Sequence, residues 1–288
     1  GLYELVQYTK KYGECGAALL VGVPVEKENE LFNCAALIQN GSLVAVVPKT
    51  YLPNYGEFYE KRWFSGGEQA PCELELDCGG KRIQTIFGNM LLVEFGTAQK
   101  VRVGIEICED AWAPVSPGRL LALHGAEILV NISASNELIG KAQYRKNMLG
   151  AASAGCICGY VYVSAGKYES TSDLVFSGHT LMYENGKLIG EGKPFNGAVL
   201  VKDFNLTKIR HDRIANKTYS GCKRNMAKNF YEVIECPKPI LENEDILARV
   251  SITPFVPSKN RRDRSLEIFQ MQVTALQRRI EATRSQCI

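Results

Sequence analysis

Cys108 has the position in this chain that most favours nucleophilic chemistry. Residues 101–107 before it alternate apolar side chains with polar or small ones, which is the period of two of a β-strand. Glu109 and Asp110 after it are typical of the start of a turn or helix. A thiol at such a junction is held by the strand and faces free backbone N–H groups, as in enzymes that transfer acyl groups. A buried structural cysteine is the alternative that this stretch leaves open.

Lys49 is the best partner that the sequence offers to this thiol. An ordinary cysteine has a pKa of about 8.5, so catalysis needs a base or a cation beside it. His124, His179 and His211 are predicted to be structural or exposed, which disfavours a Cys–His protease. Lys49 follows a strand end, as Cys108 does, and strand ends at one edge of a sheet often form sites. An ammonium there would lower the thiol pKa and stabilise an oxyanion, although a solvated surface lysine is the alternative.

Composition and charge restrict the possible partners. The 288 residues carry a net charge of +3, and the only dense basic run is 261–264, so nothing indicates a nucleic-acid partner. The ten cysteines include no CxxC pair, so the spacings of zinc and thioredoxin-like sites are missing and no metal is expected. No segment resembles a signal peptide or is apolar for long enough to cross a membrane. We therefore expect a cytoplasmic protein with free thiols and no membrane partner.

The elements around Cys108 and Lys49 predict the sheets that must position them. Asn40-Gly41 and Asn185-Gly186 are strong hairpin signals between apolar strands. Strands and helices otherwise alternate, which predicts an α/β fold with a mixed sheet or a pair of sheets covered by helices. The predicted strands are 17–25, 32–38, 43–47, a pair at 81–87 and 90–95, 101–107, 127–132, 159–163, a hairpin over 180–189, and 197–201. The predicted helices are 2–12, 117–124, 141–155 and 263–283.

The C-terminal part of the chain has a different pattern. Beyond Asp203 the periodicity loosens, and prolines at 237, 239, 254 and 257 indicate an extended tail. The last helix, Asp263 to Thr283, is amphipathic. Its apolar residues recur at spacings of three and four: Leu266, Phe269, Val273, Leu276 and Ile280. We expect this stripe to dock on the same domain or on something outside the chain.

Four stretches closely resemble the motifs of bacterial glutamine-dependent NAD synthetases. They include a lysine motif, the nucleophile motif of the glutaminase domain and a substrate-binding segment. The resemblance covers nearly the whole chain, and four separate motifs in the order that the family has make it specific. In chain order they are PKTYLPNYGEFYEKRWF at 48–64, EICEDAW at 106–112, NISASNE at 131–137 with GKA at 140–142, and AG at 165–166 with ESTSDLVFSGH at 169–179.

The resemblance implies a nitrilase-like carbon–nitrogen hydrolase fold, a four-layer αββα sandwich with a C-terminal amphipathic connecting helix. It also implies a Glu–Lys–Cys triad in which Cys108 attacks the side-chain amide of glutamine. Lys49 would stabilise the tetrahedral intermediate, with the backbone N–H of Glu109 as a second donor. Glu57 matches a second glutamate that nitrilase-like enzymes place in the site.

The same resemblance assigns the substrate contacts and the products. Tyr55, Ser135 and, more loosely, Lys141 match positions that hold glutamine. A γ-glutamyl thioester forms, ammonia leaves, and water then releases glutamate. A covalent intermediate suits a primary amide, because it divides one difficult step into two easier ones.

The resemblance also predicts parts that lie outside this chain. The general-base glutamate is expected in a Pro-Glu-Leu-like motif upstream of residue 1, and an ATP-dependent synthetase domain beyond residue 288. We therefore expect a fragment, with the glutaminase domain at 1–250 and a linker and connecting helix at 251–288. On its own it is expected to be impaired, because the base is missing.

The implied parent enzyme uses the ammonia to amidate deamido-NAD, with ATP and Mg in the synthetase domain and no cofactor in the glutaminase domain. The implied partners are L-glutamine, the synthetase domain of the same polypeptide and further copies in a homo-oligomer. Two alternatives stay open. One is a stand-alone nitrilase-like amidase that uses the triad on another carbon–nitrogen bond, and the other is an inactive, truncated domain that serves as a scaffold.

Overall fold

The described part of the chain divides into two units, residues 1–245 and 246–288. The computed structural model describes residues 1–12, 16–97, 100–170, 173–197, 199–226, 231–236, 247, 252–253, 256 and 260–284. The predicted division between 250 and 251 lies outside the described residues, as do the four prolines of the predicted tail and two of the ten cysteines. The other eight cysteines are free thiols.

Six α-helices and two sheets make up the described structure. The helices are α1 Leu2–Lys11, α2 Pro117–His124, α3 Lys141–Cys156, α4 Leu206–Ala215, α5 Lys217–Asn225 and α6 Arg261–Thr283. The bounds of α2 are those predicted, because Ser116 caps its N-terminus, Pro117 occupies the first turn and Gly125 ends it with a φ of 125°.

The first sheet has five strands. They are β1 Ala18–Lys27, β2 Glu30–Gln39, β3 Ser42–Pro48, β4 Cys72–Asp77 and β5 Arg82–Phe87. Their order in the sheet is β1-β2-β3-β5-β4, with β3 and β5 parallel and the other neighbours antiparallel. Asn40 and Gly41 form the predicted turn between β2 and β3, both with positive φ, as a two-residue hairpin of type I′ requires.

The second sheet has seven strands. They are β6 Leu91–Phe95, β7 Val101–Ile107, β8 Ile128–Ser133, β9 Gly159–Ser164, β10 Thr180–Glu184, β11 Lys187–Gly192 and β12 Glu232–Glu235. Their order is β11-β10-β9-β8-β7-β6-β12. The three central strands β7, β8 and β9 are parallel, with α2 and α3 in the two connections. Their carboxyl ends therefore meet at one edge, where sites form in such sheets.

The described residues form three apolar cores, and the first two lie on opposite faces of β2. Ala36 on β2 packs with Val6 of α1, whereas Leu37, the next residue, packs against Val93 and Ile105 of the second sheet. This is the period of two that puts successive residues of a strand on opposite faces. The first sheet is thus covered by α1 on one face and by the second sheet on the other.

The third core lies between the second sheet and its helices. Leu92 of β6 faces away from the first sheet and packs in a cluster with Leu121 of α2 and Leu149 of α3, all three fully buried. The layers run α1, first sheet, second sheet, and α2 with α3. The predicted four-layer αββα arrangement is confirmed.

The structure corrects several predictions of elements. Strands β5 and β6 do not pair with each other but belong to different sheets. Asn89 between them does not make a hairpin turn, because its buried amide donates to Thr50 Oγ1 at 2.8 Å and to the Gly67 carbonyl at 3.0 Å. The described residues of 197–201 form no strand, and β4, β12, α4 and α5 were not predicted.

The C-terminal unit contains α6, which confirms the predicted amphipathic helix and starts two residues earlier. None of its residues is buried, and the apolar stripe is exposed, with Phe269 at 61% and Leu276 at 52%. In the described part of the chain, no helix combines the length and apolarity that a membrane span requires.

Candidate active site

The predicted site residues converge where strands from both sheets end. Cys108 follows β7, Ser135 follows β8 and Lys49 follows β3. A cavity of about 550 Å³ opens there. Six of the seven predicted site residues line it: Tyr55, Glu57, Cys108, Glu109, Ser135 and Lys141. The seventh, Lys49, is 1% exposed and lies outside the lining.

The backbone of Cys108 has the left-handed conformation that few residues other than glycine adopt. Its φ is 46°, at the first position of the 3₁₀ turn Cys108–Ala111. Asn131, fully buried on β8, binds both backbone polar groups of Cys108. Its Oδ1 accepts from the Cys108 N–H at 3.2 Å, and its Nδ2 donates to the Cys108 carbonyl at 3.4 Å. Strained backbone of this kind is concentrated at functional sites, which supports the predicted strand-to-turn nucleophile.

The thiol of Cys108 experiences opposing influences. Burial raises its pKa, and this effect is larger than the lowering by the Lys49 charge and by a hydrogen bond with Ser133. The Glu60 charge raises the pKa further, and the backbone N–H of Ala134 lowers it. The net pKa is raised, so at neutral pH the thiol keeps its proton and needs a base when it reacts.

The buried ammonium of Lys49 pairs with Glu60. Nζ lies 2.7 Å from Oε1 and 2.8 Å from Oε2 of that carboxylate, which starts the 3₁₀ turn Glu60–Arg62. The Lys49 N–H donates to the Asn33 carbonyl at 2.8 Å, so backbone and side chain are both held. A buried ammonium needs a partner of opposite charge, and Glu60 supplies that partner beside the thiol.

Tyr55 and Glu109 form a polar pair on the wall of the cavity. The Tyr55 hydroxyl donates to the two carboxylate oxygens of Glu109, both at 3.0 Å. Burial, followed by this hydrogen bond, raises the pKa of Tyr55 to about 12. The phenol therefore stays neutral and acts as a hydrogen-bond donor. The Glu109 carboxylate beside it can also accept a hydrogen bond from an ammonium group.

Glu57 and Lys141 meet through the side chain of Asn136. Asn136 Nδ2 donates to Glu57 Oε1, and its Oδ1 accepts from Lys141 Nζ, each at 2.5 Å. Lys141 also faces the rings of Phe58 and Trp112 at 5.8 and 5.9 Å. Burial, followed by the nearby Arg145, lowers the pKa of Lys141. The cavity thus has one cationic end with aromatic walls.

Ser135 is held by a buried arginine on α3. Arg145 is fully buried, and its Nη2 lies 3.5 Å from Ser135 Oγ. Its Nη1 donates to Glu137 at 3.2 Å and to His179 Nδ1 at 2.8 Å. Because arginine cannot accept, His179 accepts at Nδ1. Burial, followed by the Arg145 charge, lowers the pKa of His179, in agreement with its predicted structural role. His124 is also buried, and His211 is exposed.

The family model for carbon–nitrogen hydrolases matches residues 5–214. This chain belongs to the carbon–nitrogen hydrolase family. Several similar proteins are called glutamine-dependent NAD(+) synthetase. That of Mycobacterium tuberculosis is 34% identical over 271 residues, which is 92% of this chain and 39% of that protein. That of Thermotoga maritima is 26% identical, over 87% of this chain and 41% of that protein. The chain thus spans about two fifths of the length of these relatives.

Solved structures agree with the family at the level of the fold. A carbon–nitrogen hydrolase from Helicobacter pylori superimposes with a TM-score of 0.54 at 18% identity, over 73% of this chain and 69% of that one. A glutamine-dependent NAD+ synthetase from Acinetobacter baumannii, in complex with ADP, has a TM-score of 0.50 at 24% identity, over 66% of this chain and 32% of that one.

Sequence reasoning assigned no role to three residues that shape the site of this carbon–nitrogen hydrolase. Glu60 is the ion-pair partner of Lys49, Asn131 fixes the Cys108 backbone, and Asn136 joins Glu57 to Lys141. All three stand inside motifs that carried the resemblance. Glu60 follows Glu57 by three residues, and the spacing gives no sign of which carboxylate reaches the lysine.

A second cavity of about 840 Å³ lies beside the first. The two share Pro53, Tyr55, Glu109 and Trp112 in their linings, but Cys108 lines only the smaller one. The smaller cavity is therefore the candidate active site, because the thiol lies on its wall. Among the described residues, no three His, Cys, Asp or Glu side chains are grouped so that they could hold a metal ion.

Proposed function

We propose that this carbon–nitrogen hydrolase is a glutaminase domain that releases ammonia from L-glutamine through a thioester on Cys108. The observation that carries the proposal is the left-handed Cys108 on the wall of a cavity, with the buried Lys49, paired with Glu60, beside its thiol. The names of the relatives support glutamine as the substrate.

In the first half-reaction, Cys108 Sγ attacks the side-chain carbonyl carbon of glutamine and loses its proton to a base. The carbonyl oxygen becomes an oxyanion, which Lys49 stabilises together with the N–H of Glu109. Glu109 lies in the first turn of a 3₁₀ segment, where backbone N–H groups lack partners within the turn. The intermediate collapses with rupture of the carbon–nitrogen bond, and the nitrogen takes up the proton and leaves as ammonia.

In the second half-reaction, water attacks the thioester and gives glutamate and the free thiol. The base that served the first half now takes a proton from water. We propose that this base is the upstream glutamate expected from the resemblance. Glu57, which lines the cavity, supplies the second carboxylate of the site.

The cavity offers complementary groups for the two charged ends of glutamine. Lys141, at the cationic end, pairs with the α-carboxylate. Glu109, with Tyr55 beside it, accepts from the α-ammonium, and Ser135 contributes a hydroxyl held by Arg145. Charge-assisted hydrogen bonds of this kind favour an amino-acid amide over an uncharged amide.

We further propose that the whole protein passes this ammonia to a synthetase domain of the same polypeptide, which amidates deamido-NAD with ATP and Mg²⁺. The names and greater lengths of the relatives support this proposal. A homo-oligomer in the cytoplasm is the expected setting. The glutaminase domain needs no cofactor in this scheme, because thiol, ammonium and carboxylate groups supply its chemistry.

Release of ammonia from L-glutamine and from simple aliphatic amides tests the proposed function. We expect turnover of glutamine in the protein as it occurs, none in Cys108→Ala, and a glutamyl adduct on the Cys108 peptide after rapid acid quenching. Faster turnover of acetamide or propionamide would instead identify a stand-alone amidase. Glutamine turnover that persists in Cys108→Ala would overturn the proposal, and so would a folded protein without any amide turnover, which would identify a scaffold.

A further inference from the structure

Asp110 is a buried carboxylate beside the catalytic centre that takes no part in the proposed reaction. It is 1% exposed and accepts hydrogen bonds from three backbone N–H groups. Its Oδ1 accepts from Tyr51 at 2.8 Å, and its Oδ2 accepts from Ile107 at 3.0 Å and from Thr50 at 3.4 Å. The three donors belong to two segments nearly 60 residues apart, one following β3 of the first sheet and one ending β7 of the second.

We propose that Asp110 is a positioning residue that holds the Lys49 ammonium beside the Cys108 thiol. Thr50 and Tyr51 directly follow Lys49, and Ile107 directly precedes Cys108. The carboxylate therefore ties the lysine segment to the nucleophile segment at the point where the two sheets meet.

Local capping accounts for only one of the three hydrogen bonds. Asp110 is the third residue of the 3₁₀ turn, and its bond to the Ile107 N–H is the reciprocal bond of a capping box. The bonds to Thr50 and Tyr51 satisfy no group of that turn. Burial removes solvation from this carboxylate and raises the pKa of Asp110 to about 7, although the N–H groups of Tyr51, Ile107 and Thr50 lower that pKa.

Glu106 on β7, the strand that precedes Cys108, provides a matched control for the replacement of Asp110. Glu106 on β7 is also 1% exposed, but it points to the other side, where it accepts from Ser116 at 2.6 Å and from the Gly118 N–H at 2.9 Å. It makes no hydrogen bond to the segment after Lys49 among the bonds of the described residues. Replacing it removes a buried carboxylate equally close in sequence to Cys108.

The thiol pKa of Cys108 reports the position of Lys49 directly. Lys49 lowers this pKa, so displacement of the lysine raises it. Loss of the Asp110 charge alone would act in the opposite direction, because a neighbouring negative charge disfavours the thiolate. A rise therefore identifies positioning and not a direct charge effect. The charge of Glu60 also changes the thiol pKa. The charge of Cys108 in turn changes the pKa values of Tyr55, Lys141 and Tyr162.

The experiment measures the rate at which iodoacetamide alkylates Cys108 as a function of pH, with the modified peptide identified by mass spectrometry. The thiolate forms a carbon–sulfur bond and iodide leaves, so the rate follows the thiolate fraction. The variants are Asp110→Asn, Lys49→Met, the double variant and Glu106→Gln, each checked for folding by circular dichroism. The measurement rests on the proposed roles of Cys108 and Lys49, but it does not require glutamine turnover.

We expect Asp110→Asn and Lys49→Met each to raise the apparent pKa of Cys108 by about one pH unit, which is roughly tenfold less thiolate below that pKa. The double variant should show no larger shift than Lys49→Met alone, because the two changes act through one group. Glu106→Gln should leave the pKa unchanged. A protein that shows this pattern but hydrolyses no glutamine would refute the proposed function and leave the role of Asp110 intact.

An unchanged or lowered thiol pKa in folded Asp110→Asn would overturn the proposal. A shift that persists in full after Lys49 is replaced would do the same. If Asp110→Asn does not fold, Tyr51→Pro removes one of the long-range N–H donors and keeps the carboxylate, and the same rise is expected. Failure of both variants to fold would also overturn it, because the carboxylate would then support the fold as a whole.

Discussion

Lys49 shows how much of the candidate chemistry depends on single side chains. Its ammonium is fully buried, paired with Glu60 and close enough to lower the pKa of Cys108. The sequence placed the lysine after a strand end, and the structure shows which groups hold its side chain and backbone. Both oxygens of one carboxylate hold it, and its own backbone N–H is bonded to Asn33.

We predict that Lys49→Ala lowers kcat for glutamine hydrolysis by at least about two orders of magnitude, or roughly 3 kcal/mol, because an oxyanion donor is lost. Steady-state ammonia release measures the effect. The control is Lys61→Ala, since Lys61 is exposed and lines only the larger cavity. Wild-type turnover in folded Lys49→Ala would show that the lysine has another role.

Lys141 leads to a prediction about pH. Because its pKa is lowered, the ammonium loses its proton at a lower pH than an ordinary lysine does. If it pairs with the α-carboxylate of glutamine, KM should rise on the alkaline side, below the usual range of a lysine pKa, with a smaller change in kcat. Lys141→Arg keeps the charge at high pH and should remove this rise. An identical alkaline profile of KM in both proteins would refute the pairing.

At the scale of elements, α2 is fitted to the strand that carries the nucleophile. The N-terminus of this helix donates to Glu106 of β7 through the Gly118 N–H and through the capping residue Ser116. A negative charge at a helix N-terminus is favourable, so helix and strand stabilise each other. The position of Gly118 leaves no room for a side chain, since an added Cβ would lie 2.5 Å from Glu106 Oε2.

We therefore predict that Gly118→Ala destabilises the protein by about 1–3 kcal/mol, because the new methyl group displaces the buried Glu106 carboxylate. Gly155→Ala in α3 is the matched control. An added Cβ there meets nothing within 4 Å, so alanine should be neutral or stabilise by up to about 1 kcal/mol. Urea unfolding of the two variants measures the difference. Equal stabilities would show that the close contact at Gly118 is relieved without cost.

Elements with a strong local signal were predicted well. The hairpins at Asn40-Gly41 and Asn185-Gly186 and the bounds of α2 are confirmed, because turn residues and caps act over a few neighbours. The pairing of β5 with β6 was wrong. Two apolar strands with a short connection resemble a hairpin locally, and only contacts with other strands send them to different sheets.

At the scale of the whole molecule, the proposed release of ammonia leads to a prediction about how that ammonia is used. If the protein amidates deamido-NAD, the two activities are separable by the nitrogen source. We predict that Cys108→Ala abolishes NAD formation with glutamine but leaves it unchanged with an ammonium salt, in the presence of ATP and Mg²⁺. An enzymatic cycling assay measures the NAD that is formed with each nitrogen source.

The assay with the ammonium salt is the internal control, because NAD formation there shows that the amidating site is intact. If Cys108→Ala also lost the ammonium-dependent activity, the thiol would support more than glutamine hydrolysis. If NAD formed with neither nitrogen source in the unmodified protein, the proposal for the whole protein would fall, whereas glutaminase activity would still be measured separately.

The sequence alone predicted Cys108 as the nucleophile, Lys49 as its partner and the fold class, and the structure confirms the fold class. The prediction came from local features of the chain: the period of two before Cys108, the turn residues after it and four motifs in order. These features can be recognised without knowledge of any long-range contact. The family match over residues 5–214 and the two packed sheets agree with them.

Only the tertiary structure decided which groups surround the thiol. Glu60 and not Glu57 holds Lys49, Asn131 fixes the Cys108 backbone, and Asp110 joins two segments from different sheets. Glu57 and Glu60 are chemically identical and three residues apart, so the local pattern favours neither. Their roles follow from the partner that the fold brings to each carboxylate: Asn136, 79 residues away, donates to Glu57, whereas Lys49 and Asn33 donate to Glu60.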